Sequence, residues 1–197
     1  MTPKCEFDPV KHAFRIEGRA VPSVTQVIKR VLGRPIMQAT DWHMQRGTAV
    51  HACAAMVARE IPFEHDPQIA GQVAAIRKFW AEFKPDAKLI EEPVYNLNQQ
   101  YAGVLDLVAW TQLGLTIIDY KSTISAVRDT IQIGGYALCR GDATAGILVE
   151  LHEDGTYQVV PLERKALHGA KRDFQIVRAT YGIMQRLNEA EKGGNND

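Results

Sequence analysis

Residues 115–121, with the sequence LTIIDYK, are the stretch that decides the fold of this chain. The isoleucines at 117 and 118 favour a central strand. Side chains alternate between the two faces of a strand, so Asp119 and Lys121 point the same way. A second apolar run, GVLDLV at 103–108, carries Asp106 among aliphatic neighbours. A carboxylate inside such a run is costly to bury unless it is paired or binds a cation.

Each of these features also has a plainer explanation. Asp106 would be an ordinary surface acid if its strand ended there. Asp119 and Lys121 would be a surface ion pair on an edge strand, worth about 0–1 kcal/mol. Two acids and a lysine converging on one face instead predict a hard-cation site with an ammonium beside it. That combination suits the hydrolysis of a phosphodiester.

Composition limits the classes of protein to be considered. The chain has 197 residues, 46% of them hydrophobic, which predicts one domain with a real core. Lys+Arg and Asp+Glu both number 23, so the net charge is zero. A nucleic-acid binder that relied on bulk charge would be basic. Any contact with nucleic acid must therefore come from local segregation of charge or from enclosure of the strand.

Cysteine content and apolar runs exclude several further classes. The three cysteines are scattered and form no CxxC pair. A disulfide framework, a zinc ribbon and a four-cysteine iron–sulfur cluster are therefore not expected. No apolar run approaches the ~18 residues of a membrane span, and the N-terminus lacks the apolar segment of a signal peptide. We expect a cytoplasmic protein with no contact to a membrane.

Periodicity and breaker residues predict an α/β fold with a mixed central sheet flanked by helices. Three antiparallel strands lead through a crossover helix to a further strand. The predicted elements are a hairpin at 12–21 with its turn at 17–18, a helix capped by Ser23 and Gln26 and ending at Gly33, a helical region at 37–60 broken near 46–48, a helix starting at Asp66-Pro67, strands at 89–96, 101–110 and 115–120, a helix at 127–138, a hairpin of 145–151 with 157–160, and a helix at 164–188.

The expected domain organisation follows from these elements. Residues 1–190 form a single domain and residues 191–197 a disordered tail. The domain consists of an N-terminal hairpin with helices over 12–84, a catalytic core over 88–162 and a C-terminal helix over 164–188.

Further polar residues near these strands are candidates with open alternatives. Glu91 and Glu92 face opposite sides of their strand, so at most one joins the acids, and periodicity does not decide which. His51, after Gly47 on a helix, could be a ligand or merely structural. Gln132 and Tyr136 share one helix face. The glycines at 134 and 135 between them indicate a close approach by the sheet or by a ligand.

In this order the motifs resemble the RecB-like branch of the PD-(D/E)XK nuclease superfamily, which includes phage-type exonucleases. The set is GxxxH (47–51), a glutamate at 91 or 92, GxxD (103–106), DxK (119–121) and QxxxY (132–136). The stretches FRIEG (14–18) and VPSVT (21–25) also resemble phage members. DxK alone is weak, but the ordered set is specific. Leu105-Asp106 stands where the superfamily's name has Pro-Asp, which is ordinary in this branch.

The resemblance implies a fold and a role for each matched residue. The fold is a restriction-endonuclease-like core with an N-terminal helical elaboration. Asp106, Asp119 and His51 would bind Mg²⁺ or Mn²⁺, and Lys121 would steady the attacking water and the developing charge. Glu91 would complete the acidic cluster, because its spacing to the following residues resembles the family more closely than that of Glu92. DNA-contacting residues would be Gln132, Tyr136 and Arg46.

The implied activity is that of a metal-dependent DNA exonuclease in recombination or end processing, of a kind that phages encode. Its partners would be DNA ends, a single-strand annealing or recombination protein, and further copies of itself. Two alternatives remain open. One is a structure- or site-specific endonuclease of the same fold, and the other is a catalytically silent DNA-binding module.

Overall fold

The computed structural model describes residues 5–33 and 41–193, with side chains described over 5–33 and 45–191. Its elements in chain order are β1 (Cys5–Asp8), β2 (Ala13–Ile16), β3 (Arg19–Val21), α1 (Val24–Leu32), α2 (Asp41–Ala58), a 3-10 turn (Pro67–Ile69), α3 (Ala70–Phe83), β4 (Asp86–Asn96), β5 (Tyr101–Thr111), β6 (Gly114–Lys121), α4 (Ala126–Arg140), β7 (Ala145–Leu151), β8 (Tyr157–Leu162) and α5 (Arg164–Gly193).

A mixed five-stranded sheet forms the centre of the molecule, in the order β4-β5-β6-β7-β8. Strands β4, β5 and β6 are antiparallel neighbours, and β6 pairs in parallel with β7. Helix α4 makes the crossover between those two strands, as a parallel connection requires. The α/β fold class with its mixed sheet flanked by helices is therefore confirmed. A second sheet of three short strands, β1-β2-β3, precedes it.

Two hydrophobic layers cover the two faces of this sheet. One layer packs α1, α4 and α5 against side chains such as Leu105, Ile117 and Leu148. The other packs α2 and α3 against side chains such as Ile118 and Tyr120. Strand β6 contributes alternate residues to the two layers because its side chains point to opposite faces. The central position predicted for this strand is thus confirmed.

Local sequence signals fixed several element ends correctly. Ser23 and Gln26 form a reciprocal capping box at the start of α1, and Gly33 ends that helix. The hairpin of β2 and β3 turns through Glu17 and Gly18, which have φ values of 51° and 79°. Asp66 caps the 3-10 turn that leads into α3. At these positions the chemistry of one or two side chains determines the backbone.

Other expectations differ from the structure. Helix α2 runs unbroken from Asp41 through Gly47 to Ala58, so the predicted break at 46–48 is wrong. A glycine costs a helix only about 1 kcal/mol, and burial of Val50, Cys53 and Ala54 outweighs that cost. Residues 37–40 lie outside the described part. Strand β1 was not predicted. Helix α5 continues to Gly193, so 191–193 are helical, and 194–197 lie outside the description.

The two glycines of α4 allow helix α5 to pack unusually close. A Cβ added to Gly134 would lie 2.1 Å from the carbonyl oxygen of Ala170. One added to Gly135 would lie 2.8 Å from the ring of Phe174. The close neighbour is therefore another helix, neither the sheet nor a ligand.

The described part of the chain contains no helix long and apolar enough to span a membrane.

Gly134→Ala should destabilise the protein by about 1–3 kcal/mol or more, because the added methyl group overlaps backbone atoms of α5 that have little freedom to move. Gly169→Ala provides the matched control, since nothing lies within 4 Å of its Cβ position. That change should be neutral or stabilise helix α5 by about 0.5–1 kcal/mol. Urea unfolding measures both. Equal effects of the two substitutions would contradict the close packing.

Candidate active site

The site begins where strands β5 and β6 separate. Their pairing ends at Leu107 and Ile118. Beyond that point β6 continues beside β7 as far as Lys121 and Glu150. In the opening, Asp106 Oδ2 accepts a hydrogen bond from the backbone N–H of Tyr120 at 2.9 Å. The carboxylate thus takes the place of the missing ladder partner, and the side chain of Asp106 lies between two strands of the sheet.

Asp119 and Lys121 project from β6 toward α4, on the same face, as alternation requires. Lys121 Nζ lies 2.7 Å from Asp119 Oδ2. The same ammonium donates to Gln132 Oε1 at 3.1 Å, and Gln132 Nε2 donates to Asp119 Oδ1 at 3.2 Å. Gln132 therefore clamps both members of the pair and fixes their positions. Because Asp119 is 2% exposed, the alternative of a surface ion pair does not hold.

On the other side of the opening, His51, Glu91 and Asp106 form a second cluster. One ligand atom from each residue can be chosen so that all three lie within 4.8 Å of one another. His51 Nδ1 is 3.1 Å from Asp106 Oδ1. Glu92 is exposed, so the structure turns Glu91 and not Glu92 toward the acids.

The backbone of Glu91 is strained, with a φ of 53°. Its strand neighbours pair as Ile90 with Leu107 and Glu92 with Leu105, which sets Glu91 opposite Asp106. A non-glycine residue held in this region costs on the order of 1–3 kcal/mol, and such residues concentrate at functional sites. The strain accompanies a carboxylate that lies near His51 and Asp106.

Burial and mutual charge shift the pKa of nearly every group here. Burial raises the pKa of Asp119 to about 6, against the opposing charge of Lys121. Burial, with the charge of Asp106, raises the pKa of Glu91 to about 7. The Asp106 charge raises the pKa of His51 to about 9. Although burial opposes ionisation of Asp106, His51 outweighs it and lowers the pKa of that carboxyl.

Lys121 remains an ammonium despite its burial. Desolvation opposes its charge, but Asp119 and Asp129 outweigh that cost and raise its pKa. Asp129 Oδ1 lies 3.9 Å from Lys121 Nζ. The site thus contains a positive charge beside two acids, Asp119 and Glu91, whose pKa values are raised by burial.

These groups fit a hard divalent cation. Carboxylate oxygens and an imidazole nitrogen converge, with one ligand atom of each residue within 4.8 Å of the others. Mg²⁺ and Mn²⁺ accept such donors. His51, Glu91 and Asp106 are the residues placed to hold it. Asp119 lies outside that three-residue group, and Lys121 and Gln132 engage its oxygens.

Two of the residues predicted to contact DNA have partners within the protein. Tyr136 is 4% exposed, and its hydroxyl accepts a hydrogen bond from Gln132 Nε2 at 3.1 Å. Tyr136 therefore helps to hold the Gln132 side chain in position through this hydrogen bond. Arg46 pairs with Glu153 of the turn between β7 and β8.

Two residues near this site were not predicted. Asp129, three positions before Gln132 on α4, contacts Lys121. Gln72 lies on the buried stripe of α3, between Ile69 and Ile76, and is almost fully buried. A polar residue at a core position of an amphipathic helix was the signal that could have identified it.

Comparison with known proteins gives similarity in structure only. No family model and no curated protein matches the sequence. The similar solved structures include an alkaline exonuclease (LHK-Exo) from Laribacter hongkongensis in complex with dAMP, at 10% identity over 88% of this chain and 94% of that one, with a TM-score of 0.46. A phage-related exonuclease from Haemophilus somnus 129PT shows 12% identity over 85% and 96%, with a TM-score of 0.42.

Both of these neighbours are exonucleases. At 10–12% identity and these TM-scores, nothing about the chemistry of this chain is taken from them. The mixed sheet, with Asp106 and the Asp119-x-Lys121 pair at the point where two of its strands separate, is observed in the chain itself.

Glu91→Gln should change how stability depends on pH in the metal-free protein. The pKa of Glu91 is raised from 4.5 to about 7 on folding. Between these two pKa values the folded state therefore binds more protons than the unfolded state. The contribution of Glu91 to stability is lost as pH rises through this range. As pH rises from about 5 to about 8, Glu91→Gln should therefore gain stability relative to wild type.

Urea unfolding in chelator measures this difference at each pH. The exposed neighbour supplies the control, since Glu92→Gln should track wild type across the window. A wild-type protein that gained stability over Glu91→Gln as pH rose would contradict the burial of this carboxyl.

Proposed function

We propose that this protein is a divalent-metal-dependent nuclease that hydrolyses the phosphodiester bonds of DNA. The observation that carries the proposal is the convergence of Asp106, Asp119 and Lys121 at the opening between β5 and β6, with Lys121 Nζ 2.7 Å from Asp119 Oδ2. A purely structural metal site gives no reason for an ammonium beside the acids. A buried structural ion pair gives no reason for His51 and Glu91 on the other side.

Each side chain has a separate task in this proposal. A bound Mg²⁺ or Mn²⁺ would acidify a water and neutralise phosphate charge. Asp106, Glu91 and His51 would hold the cation, and Asp119 would share in the acidic site. Lys121 keeps its proton and stabilises the negative charge that develops on the phosphate oxygens. Gln132 orients Lys121 and Asp119, and Tyr136 holds Gln132 in place.

The finer assignment is to an exonuclease that acts in recombination or DNA-end processing, of phage type. It is supported by the ordered motifs that resemble the RecB-like branch and by the neutral net charge. A neutral chain holds DNA by local charge or by enclosure. Enclosure of one strand, by the monomer or by a ring of copies, admits DNA at its ends. An annealing or recombination protein would be the natural partner of such an enzyme.

Asp119→Asn and Lys121→Met should each lower kcat by roughly 1,000-fold. The first removes a carboxylate of the acidic site, and the second removes the ammonium that stabilises the developing negative charge. The chain offers a matched control pair on β4. Lys88 Nζ and Asp86 Oδ2 are also 2.7 Å apart, at side-chain exposures of 43% and 64%. Asp86→Asn and Lys88→Met should leave cleavage unchanged. The assay is release of nucleotides from end-labelled DNA with Mg²⁺, Mn²⁺ or chelator.

Linear and covalently closed circular DNA separate the exonuclease from its alternatives. An exonuclease degrades the linear form and leaves the circle intact. Equal cleavage of both forms would assign a structure- or site-specific endonuclease with the same site. Binding without cleavage of either form, in Mg²⁺ and in Mn²⁺, would assign a silent DNA-binding module and overturn the proposal.

Metal binding should release about one proton at pH ~7.5, because a metal ligand must be neutral imidazole and the pKa of His51 in the metal-free protein is about 9. Titration calorimetry with Mg²⁺ or Mn²⁺ in buffers of different ionisation enthalpy counts the protons. His51→Ala should abolish most of the release and weaken binding. His168→Ala, an exposed histidine of α5, should change neither. Unchanged proton release in His51→Ala would remove His51 from the metal site.

A further inference from the structure

A small cavity of about 140 Å³ lies beside the catalytic lysine, between α2, α3 and the end of β6. It is large enough for several waters or one phosphate-sized group. None of its nine lining residues is acidic, in contrast to the neighbouring cluster of carboxylates. The polar ones are Arg46, His51, Gln72, Tyr120, Lys121 and Ser122. Lys121 and His51 belong both to this cavity and to the candidate active site.

Gln72 is the unexplained residue of this cavity. Its side chain is 1% exposed, and among the described residues neither its amide nitrogen nor its amide oxygen finds a hydrogen-bond partner. Buried amides in folded proteins are nearly always satisfied, because an unpaired one loses its hydration without compensation. An amide that lines a cavity and lacks a protein partner is available to a molecule that enters that cavity.

The surrounding structure holds Gln72 in this position. A Cβ on the preceding residue, Gly71, would lie 1.8 Å from the carbonyl oxygen of Glu153, so the turn between β7 and β8 presses directly on α3. The carboxylate of Glu153 pairs with Arg46 across the same boundary. The β7–β8 turn therefore contacts α3 through its backbone and Arg46 through the Glu153 carboxylate, at the edge of the cavity.

We propose that this cavity is a substrate subsite, in which the Gln72 amide donates a hydrogen bond to a phosphodiester group of the nucleotide next to the scissile bond. The assignment rests on the proposed nuclease function. The lining offers cationic and amide N–H donors and no carboxylate, which favours an anion, although Arg46, His51 and Lys121 each pair with an acid outside the lining. Lys121 connects this subsite to the reaction centre, so the strand would run from the cavity into the cluster of acids.

Gln72→Met keeps the volume of the side chain and removes both hydrogen-bonding atoms. It should raise KM for single-stranded DNA roughly tenfold, the equivalent of one lost hydrogen bond to a charged group, with a smaller change in kcat. The melting temperature should rise, because an unpaired polar group leaves the core. Gln68→Met is the matched control on the exposed turn before α3 and should change neither quantity.

A second measurement does not depend on turnover. In the Asp119→Asn background with Mg²⁺, the side-chain NH₂ resonances of Gln72 should shift when a thymidine 12-mer is added, and Gln72→Met should raise the Kd of that oligonucleotide about tenfold. A higher melting temperature with unchanged KM and Kd, and unshifted resonances, would overturn the subsite and assign the amide a structural role. Normal cleavage by Gln72→Met would leave the nuclease proposal intact. A wild-type protein that never cleaves DNA would overturn the nuclease proposal, and the oligonucleotide titration would still test the subsite.

Discussion

The separation of β5 from β6 is the constraint on which the rest of the site depends. A sheet whose ladder continued past Leu107 and Ile118 would have no room for a carboxylate between its strands. Because the ladder stops there, the Tyr120 N–H needs an acceptor, and Asp106 supplies it at 2.9 Å. One backbone hydrogen bond thereby fixes the central acid, with His51 on one side of it and the Asp119–Lys121 pair on the other.

Charge at this opening is balanced for function at the expense of stability. Burial makes Asp119 and Glu91 poor anions, with pKa values of about 6 and 7, although Lys121 and His51 are near. Glu91 also retains a strained backbone. A protein selected only for stability would replace such a cluster with apolar side chains, often at a gain in free energy. A divalent cation bound by His51, Glu91 and Asp106 would add a positive charge beside these acids, so its binding would be linked to the folding of this region.

The sequence predicted the parts of this structure that local chemistry controls. The Ser23 capping box and the Asp66 helix start were correct because one side chain satisfies one backbone group. Alternation in β6 placed Asp119 and Lys121 on one face. Relations between distant elements were less accessible. Gly134 and Gly135 signalled a close approach, but no local pattern could name α5 as the neighbour. The inward turn of Glu91 depends on a positive φ that strand periodicity does not encode.

The central claim is that the three-residue group of His51, Glu91 and Asp106 binds a divalent cation at the opening of the sheet. Anomalous diffraction from crystals grown with Mn²⁺ tests it most directly. The claim predicts a manganese peak about 2.0–2.3 Å from carboxylate oxygens of Asp106 and Glu91 and from a nitrogen of His51. The claim would be contradicted if Mn²⁺ occupied other sites on the protein fully, while no manganese peak appeared among His51, Glu91 and Asp106 and the His51–Asp106 contact remained unchanged.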